Sequence, residues 1–354
     1  MSTVAISDPP ASRSDTRTVV GALARMQSGV PTKLWPMLAE EGMEDKIIVG
    51  VDVAKDWLDI AIAGEATTER IDNTTEAIGA WLDRAPPAWV AFEPTGGYER
   101  ALRQGLRERG ILFTRVHPNE IIAFRKSRGI KAKTDRIDAR LIAAFAGEEL
   151  SRRGIRPCIL GDDVLRELAA RRRQLVDSLQ AERCRLALAL APSVRHSLML
   201  VINVLEKSLT TLEAELAEHI AANPPTANLA GILQSIKGIG PITATTLIAD
   251  LPELGHLSGK EIAALVGLCP HTRQSGKTRS REHTGFGRPA VRRVLFNAAR
   301  AAIRYPSPFK IFYDRLISQN QRPGKVALTA VMRKLLVTAN AVARDRQPWN
   351  LNQA

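Results

Sequence analysis

The chain has 354 residues, 45% of them hydrophobic and 25% charged, which is enough for two or three domains with real cores. Lys and Arg number 50 against 37 Asp and Glu, a formal charge of +13 that suits a polyanionic partner, nucleic acid being the commonest. No apolar stretch reads as long enough to span a membrane, and the N-terminus lacks the basic-then-apolar profile of a secretory signal. Three widely spaced cysteines, Cys158, Cys184 and Cys269, suggest neither a disulfide framework nor a zinc site and fit a reducing cytoplasm.

In chain order, residues 1–44 are rich in Ser, Thr, Pro and Arg and read as a mobile leader, with a short helix near Val19–Met26. Order begins at Lys46. The β-branched run Ile47–Ala54 predicts a buried strand, the alternating Trp57–Gly64 a second, and Thr67–Asp72 a third. A helix follows over Thr75–Arg84, with Ile78, Trp81 and Leu82 on one face. Ala88–Glu93 reads as another buried strand. Gly96-Gly97 opens a helix through Arg109, Ile111–His117 is the fifth strand, and Pro118 starts a short helix. The segment Lys131–Phe145, KAKTDRIDARLIAAF, closes the unit as a helix. The order βββαβαβα predicts one mixed sheet with helices packed on it, over residues 45–150.

Four carboxylates in this unit stand out. Asp135 and Asp138 are three residues apart, on one helical face, where they repel each other unless a cation lies between them. An exposed pair balanced by Lys133, Arg136 and Arg140 is the bland alternative. Asp52 lies inside the first strand, where an unpaired charge is costly, so it asks for a ligand role or for a partner such as Lys55. Glu93 ends the fourth strand, just before Pro94-Thr95-Gly96-Gly97, and strand ends are where α/β sheets place their chemistry.

Asp in the first strand, Glu before a TGGY turn and a closing TDRIDA helix resemble the RuvC-like, ribonuclease-H-fold domain of the DEDD transposases of bacterial insertion sequences. The resemblance covers about residues 46–148 and puts Asp52, Glu93, Asp135 and Asp138 on that family's four acidic positions, a set that implies bound Mg²⁺. Lys131 and Lys133 beside them are candidate nucleic-acid contacts.

Residues 160–225 turn helical. Leu165, Leu168, Leu175 and Leu179 fall near heptad spacing, as do Leu205, Leu209, Leu212 and Leu216, and Pro192 separates two helices. They predict a coiled-coil hairpin or a pairing with a second chain. Arg171-Arg172-Arg173 interrupts the first stripe, either as a solvated face or as a phosphate contact.

Residues 226–345 begin with Gly238-Ile239-Gly240-Pro241, which resembles a helix-hairpin-helix element whose glycines let backbone N–H groups approach a phosphate; a plain helix-entry turn competes. Arg273, Lys277, Arg279, Arg281, Arg288, Arg292 and Arg293 then crowd one segment with a single acid, Glu282, as a phosphate-facing or merely solvated basic loop. His271 and His283 flank it as phosphate contacts or as nothing, and Tyr305 lacks the constellation of a recombinase nucleophile. From the residues alone Ser275, Thr278, Ser280 and Thr284 are equivalent. The region resembles the C-terminal transposase domain of the same family, and that resemblance puts Ser275 on the catalytic serine. Residues 346–354 form a tail.

The expected fold is therefore α/β plus α: a ribonuclease-H-like sheet domain, a helical hairpin and a mainly helical C-terminal domain. The resemblance implies a cytoplasmic recombinase, acting at the nucleoid, that excises and inserts a mobile element. It would use Mg²⁺, a serine–DNA intermediate, a structured guide RNA and a dimer assembling to a tetramer, with DNA as substrate and no membrane. A metal-dependent junction resolvase using water, or a non-catalytic nucleic-acid-binding protein, are the alternatives. No P-loop GxxxxGK[ST] occurs, consistent with strand rejoining that needs no ATP.

Overall fold

A computed structural model describes residues 47–85, 87, 89–130, 135–153, 158–159, 161–270, 274–275, 278–279 and 284–350. The leader at 1–44 with its short helix, Lys131, Lys133, Arg273, Lys277, Arg281, His271, His283 and the last residues of the tail lie outside them. The chain divides between Cys158 and Ile159 into two compact units.

The first unit holds β1 (Ile48–Val53), β2 (Trp57–Ile62), β3 (Thr68–Asp72), α1 (Thr75–Arg84), β4 (Trp89–Phe92), α2 (Arg100–Glu108), β5 (Leu112–Arg115), α3 (Pro118–Ser127) and α4 (Asp135–Arg153). The sheet order is β3-β2-β1-β4-β5. β2 runs antiparallel to both its neighbours, whereas β1, β4 and β5 are parallel. A meander of three strands followed by two parallel crossovers is the mixed sheet expected from the element order, in the ribonuclease-H-like topology that the family resemblance implied. The central strands are largely buried on both faces because helices cover both, which explains why β4 is apolar throughout and β1 is apolar but for Asp52.

Local chemistry sets the helix starts. Thr74 accepts the Ala77 N–H at 3.2 Å at the head of α1. His117 and Glu120 form a reciprocal cap around Pro118 at the first position of α3. α2 starts later than the glycine pair suggested. Gly96 and Gly97 have φ of 61° and 103°, outside the helical region, so the chain turns before the helix begins.

The second unit contains α5 (Asp163–Leu188), α6 (Pro192–Ala221), α7 (Pro224–Gln234), α8 (Pro241–Asp250), α9 (Gly259–Val266), β6 (Gln274–Ser275), β7 (Thr278–Arg279), α10 (Pro289–Ala302), α11 (Pro308–Ser318) and α12 (Gly324–Asp345). α5 and α6 form the predicted antiparallel hairpin, cross-linked by Asp162–His219, Arg172–Glu213 and Arg183–Glu206 at 2.6–2.7 Å. Arg172 and Arg173 therefore match neither reading of the arginine triplet. Both are internal ties, Arg173 reaching Asp250 of α8 at 2.6 Å. Burial pushes the Asp250 carboxyl above its ordinary range, and Arg173 and Arg288 pull it back only in part.

The remaining helices wrap around α12, whose Val331, Leu335, Leu336 and Ala339 are wholly buried. By length and hydropathy, 22 residues and 1.4, α12 could cross a membrane, against the reading of the sequence. Its packing is that of the central helix of a folded core.

Candidate functional site

The packing of α4 on β1 positions the acids. A Cβ on Gly50 would stand 2.2 Å from the Ala143 nitrogen and 2.4 Å from the Ala139 carbonyl oxygen, so only glycine admits the helix this close. The small side chains Ala61, Ala139 and Ala143 line the same contact. One level down, Gly147 approaches Ala63, which donates its N–H to the Ile48 carbonyl. Contacts thus step from Ile48 to Gly50 as the helix runs backwards from Gly147 to Ala139, and the helix is antiparallel to the strand. Two strand residues span about 6.6 Å and four helical residues about 6 Å, so the next level pairs the first turn of α4 with Asp52.

Alternation gives the same result across the sheet. Asp52 is two residues from Gly50, on the face that α4 covers. Ala91, which pairs with Gly50, packs on Leu141, Ile142 and Ala146 of α4. The β1–β4 register ends at Val51–Phe92, and one more residue sets Glu93 beside Asp52. Asp138 is 19% exposed and its Oδ1 lies 4.0 Å from Nη1 of Arg125. Asp52, Glu93 and Asp138 therefore converge on the C-terminal edge of two parallel strands, under the start of one helix. Asp135 begins that helix, and its side chain lies outside the described residues.

Two further acids at this edge escaped the sequence reading. Asp59 pairs directly with Asp52 in the β1–β2 register, is 1% exposed, and accepts from Nε and Nη2 of Arg70 of β3, one guanidinium edge, at 3.0 and 2.6 Å. Its alternation within WLDIAI was the available signal. Glu99, buried, accepts the N–H groups of Thr95 and Gly97 at 3.3 and 3.0 Å, bracing the turn that follows Glu93. Arg115 stands 4.0 Å from its other oxygen.

Donor chemistry at the edge is all carboxylate oxygen, the ligand type of hard divalent cations such as Mg²⁺ or Mn²⁺. Among the described residues no three such side chains are already drawn to metal-binding distance. The residue types and their common edge fit such an ion.

In the second unit, what reads as a basic loop contains a short hairpin. β6 and β7 pair Gln274 with Arg279 and Ser275 with Thr278, so the backbone at Ser275 borders the Gly276-Lys277 connection. The side chains of Ser275 and Arg279 lie outside the described residues. Arg288, Arg292 and Arg293, read as nucleic-acid contacts, all carry intramolecular bonds: to Glu253 and the Asp250 carbonyl at 2.6 Å, to the Val266 carbonyl at 2.7 Å, and to Asp177 at 2.9 Å. Gly238 is committed to packing, since at φ 97° its Cβ would stand 2.5 Å from the Ala298 carbonyl oxygen. Gly240, by contrast, opens α8 with nothing against its Cβ position.

Two family models match the chain. A DEDD transposase model of the IS110 type matches residues 49–192, and the model described as transposase IS116/IS110/IS902 family matches residues 230–314. Between them they span more than half of the sequence. The chain belongs to the IS116/IS110/IS902 transposase family. The enzyme is accordingly a DNA recombinase that cleaves and rejoins DNA strands.

Among curated relatives of this transposase, the pilin gene-inverting proteins of Moraxella bovis and Moraxella lacunata are each 28% identical over 319 residues. Each alignment covers 86% of this chain and 98% of the relative. Among solved structures, Thermus thermophilus RuvC bound to a Holliday junction substrate matches at 14% identity and a TM-score of 0.27, over 32% of this chain and 99% of that one. RuvC of the same organism solved alone matches at 15% and 0.26. Ribonuclease-H-like nucleases of the DEDD type work with divalent metal ions, in keeping with the carboxylates gathered at the sheet edge.

Proposed function

We propose that this transposase cuts and reseals DNA with two sets of groups: Asp52, Glu93, Asp135 and Asp138 in the first unit, holding Mg²⁺, and Ser275 in the second as nucleophile. The observation that carries the reading is the shared edge. Asp52 and Glu93 close adjacent parallel strands on the face covered by α4, and Asp138 comes from the first turn of that helix. Carboxylates gathered on one sheet edge favour a bound cation over mutual repulsion. When bound, Mg²⁺ supplies charge stabilisation to the phosphoryl oxygens under attack.

A serine hydroxyl is weakly nucleophilic at neutral pH, so a carboxylate or a water must take its proton. The Ser275 oxygen bonds to phosphorus, a deoxyribose oxygen leaves carrying a proton, and the chain becomes esterified to the DNA. Attack by another deoxyribose hydroxyl reverses the step, restoring serine and a phosphodiester without ATP. The Ser275 backbone beside Gly276-Lys277, at the end of a two-strand ladder, suits an exposed nucleophile.

Arg273, Lys277, Arg279 and Arg281, with Lys131, Lys133 and the open helix start at Gly240, supply phosphate contacts under this reading. Arg288, Arg292 and Arg293 shape the basic segment through their internal bonds and lend it charge. The surplus of +13 serves a structured guide RNA as well as DNA, since both are met first through phosphate. A homo-oligomer, a dimer assembling to a tetramer, forms through the α5–α6 hairpin, and the enzyme acts in the cytoplasm at the nucleoid.

Denaturing electrophoresis of cleavage reactions on element-end DNA tests the chemistry. A protein–DNA adduct is expected, absent in Ser275→Ala, with cleavage lost in Asp52→Asn and Asp138→Asn. Cleavage by Ser275→Ala without any adduct would instead establish a nuclease that uses water. RNA recovered from the purified protein, mapping beside its own gene, tests the guide.

A further inference from the structure

Asp59 is a buried acid that the mechanism above leaves unused, and its position makes it hard to dismiss as packing. It stands opposite Asp52 in an antiparallel pair, where neighbouring side chains lie about 5 Å apart on one face. Adding the β4 and β3 neighbours gives a row across the sheet: Glu93, Asp52, Asp59, Arg70. A third carboxylate beside two others raises the cost of charge in that row, and Arg70 offsets it.

Arg70 is held more firmly than a strand-pairing cation needs. Its Nε and Nη2 donate to the two Asp59 oxygens at 3.0 and 2.6 Å, and its guanidinium carbon lies 4.7 Å from the centre of the Trp57 ring. Trp57, Asp59 and Ala61 alternate onto the α4-covered face, so the arginine is fixed on that face too. Its side chain nevertheless remains 42% exposed while Asp59 is only 1% exposed. A partly exposed guanidinium oriented by a buried acid and an aromatic ring is preorganised for a phosphate.

We propose that Arg70 is a DNA-phosphate-binding residue of the cleavage site, oriented by Asp59 and Trp57. The inference rests on the acid edge being that site. Two strand spacings separate Arg70 from Asp52, about 10 Å, so Arg70 engages a phosphate neighbouring the one that is cut. The row then acts as a ruler, with a cation gripping the strand at one end and carboxylates at the other.

The test measures binding of the full-length protein to a short DNA duplex by fluorescence anisotropy across a salt series, in an Asp52→Asn background that does not cut. Arg70→Gln should lower the slope of log affinity against log salt by about 0.9, the loss of one phosphate contact, whereas Arg70→Lys should keep the slope. Asp59→Asn with Arg70→Gln removes both charges, leaves no lone buried carboxylate, and should reproduce the lower slope with melting near the parent. An unchanged slope in both Arg70→Gln and the double variant, with only the melting temperature lowered, overturns the proposal and leaves a structural ion pair. Continued cutting by Asp52→Asn alone would refute the cleavage-site reading instead, a result independent of the slope.

Discussion

Gly50 of β1 and Ala143 of α4 touch backbone to backbone, with a Cβ at Gly50 landing 2.2 Å from the Ala143 nitrogen. That contact fixes how deeply the helix sits and how far along the strand it is registered. Since Asp52 lies two residues beyond Gly50 and Asp138 one residue before Ala139, the same contact sets the spacing of the proposed ligands.

Gly50→Ala should therefore damage both fold and chemistry. The clash is with backbone, which a rotamer change cannot relieve, so α4 must move out or the strand must bend. Overpacking of this kind costs about 3 kcal/mol or more. A lower denaturant midpoint and loss of cleavage are expected together. Normal cutting by a destabilised Gly50→Ala protein would show that the acid spacing does not depend on this contact.

Glu99 offers a separable effect, because it touches the turn after Glu93 rather than the helix. Its carboxylate takes the N–H groups of Thr95 and Gly97, charge-assisted bonds in a buried setting. Glu99→Ala strands both donors, at a cost of about 2 kcal/mol, and frees the chain that aims Glu93. Cleavage should slow by roughly ten-fold, the equivalent of about 1.4 kcal/mol, with DNA affinity unchanged. Equal losses in affinity and rate would assign Glu99 to general stability alone.

Much of the first unit was legible because its strands are β-branched runs between turn residues, and three of its four candidate acids stand just before TGGY or within TDRIDA. Asp59 was not, since its importance comes from a register in which a hairpin sets it opposite Asp52, and spacing along the chain does not reveal that. Arg172 and Arg173 were misjudged for a similar reason. Their partners Glu213 and Asp250 lie far along the chain, and a run of like charge looks solvated until the fold supplies the acids. Ser275 was singled out only by family resemblance, because a lone hydroxyl among three similar neighbours carries no pattern of its own.

His256 gives the second unit a pH signature. Burial is the main cause holding its imidazole below the ordinary 6.5, with Arg346 adding to the effect and Glu253 opposing it. The unfolded chain thus binds a proton at higher pH than the folded one. Stability is complete above pH 6.5 and falls as the pH drops from there towards the folded value, then levels off. His256→Gln should flatten that part of the profile. Denaturant midpoints of both proteins between neutral and mildly acidic pH provide the check, and identical slopes would rule the histidine out.

The far end of the α5–α6 hairpin leaves apolar side chains in water. Leu188 and Leu190 are 82% and 94% exposed, and Val204 is 63% exposed, alongside Val194, Met199, Leu200 and Val201. Scattered surface leucines are ordinary, but these belong to consecutive turns at one end of a long hairpin, and contiguous apolar patches mark association surfaces. Buried leucines nearer the base, Leu165, Leu175 and Leu179, already hold the two helices together, so the tip is not needed for the hairpin itself. Leu190→Asp with Val204→Lys should leave melting of the fold close to the parent while shifting sedimentation towards a smaller species. Loss of strand exchange with adduct formation preserved would place the assembly step after the first cut. An unchanged sedimentation profile would place the oligomer contact elsewhere on the chain.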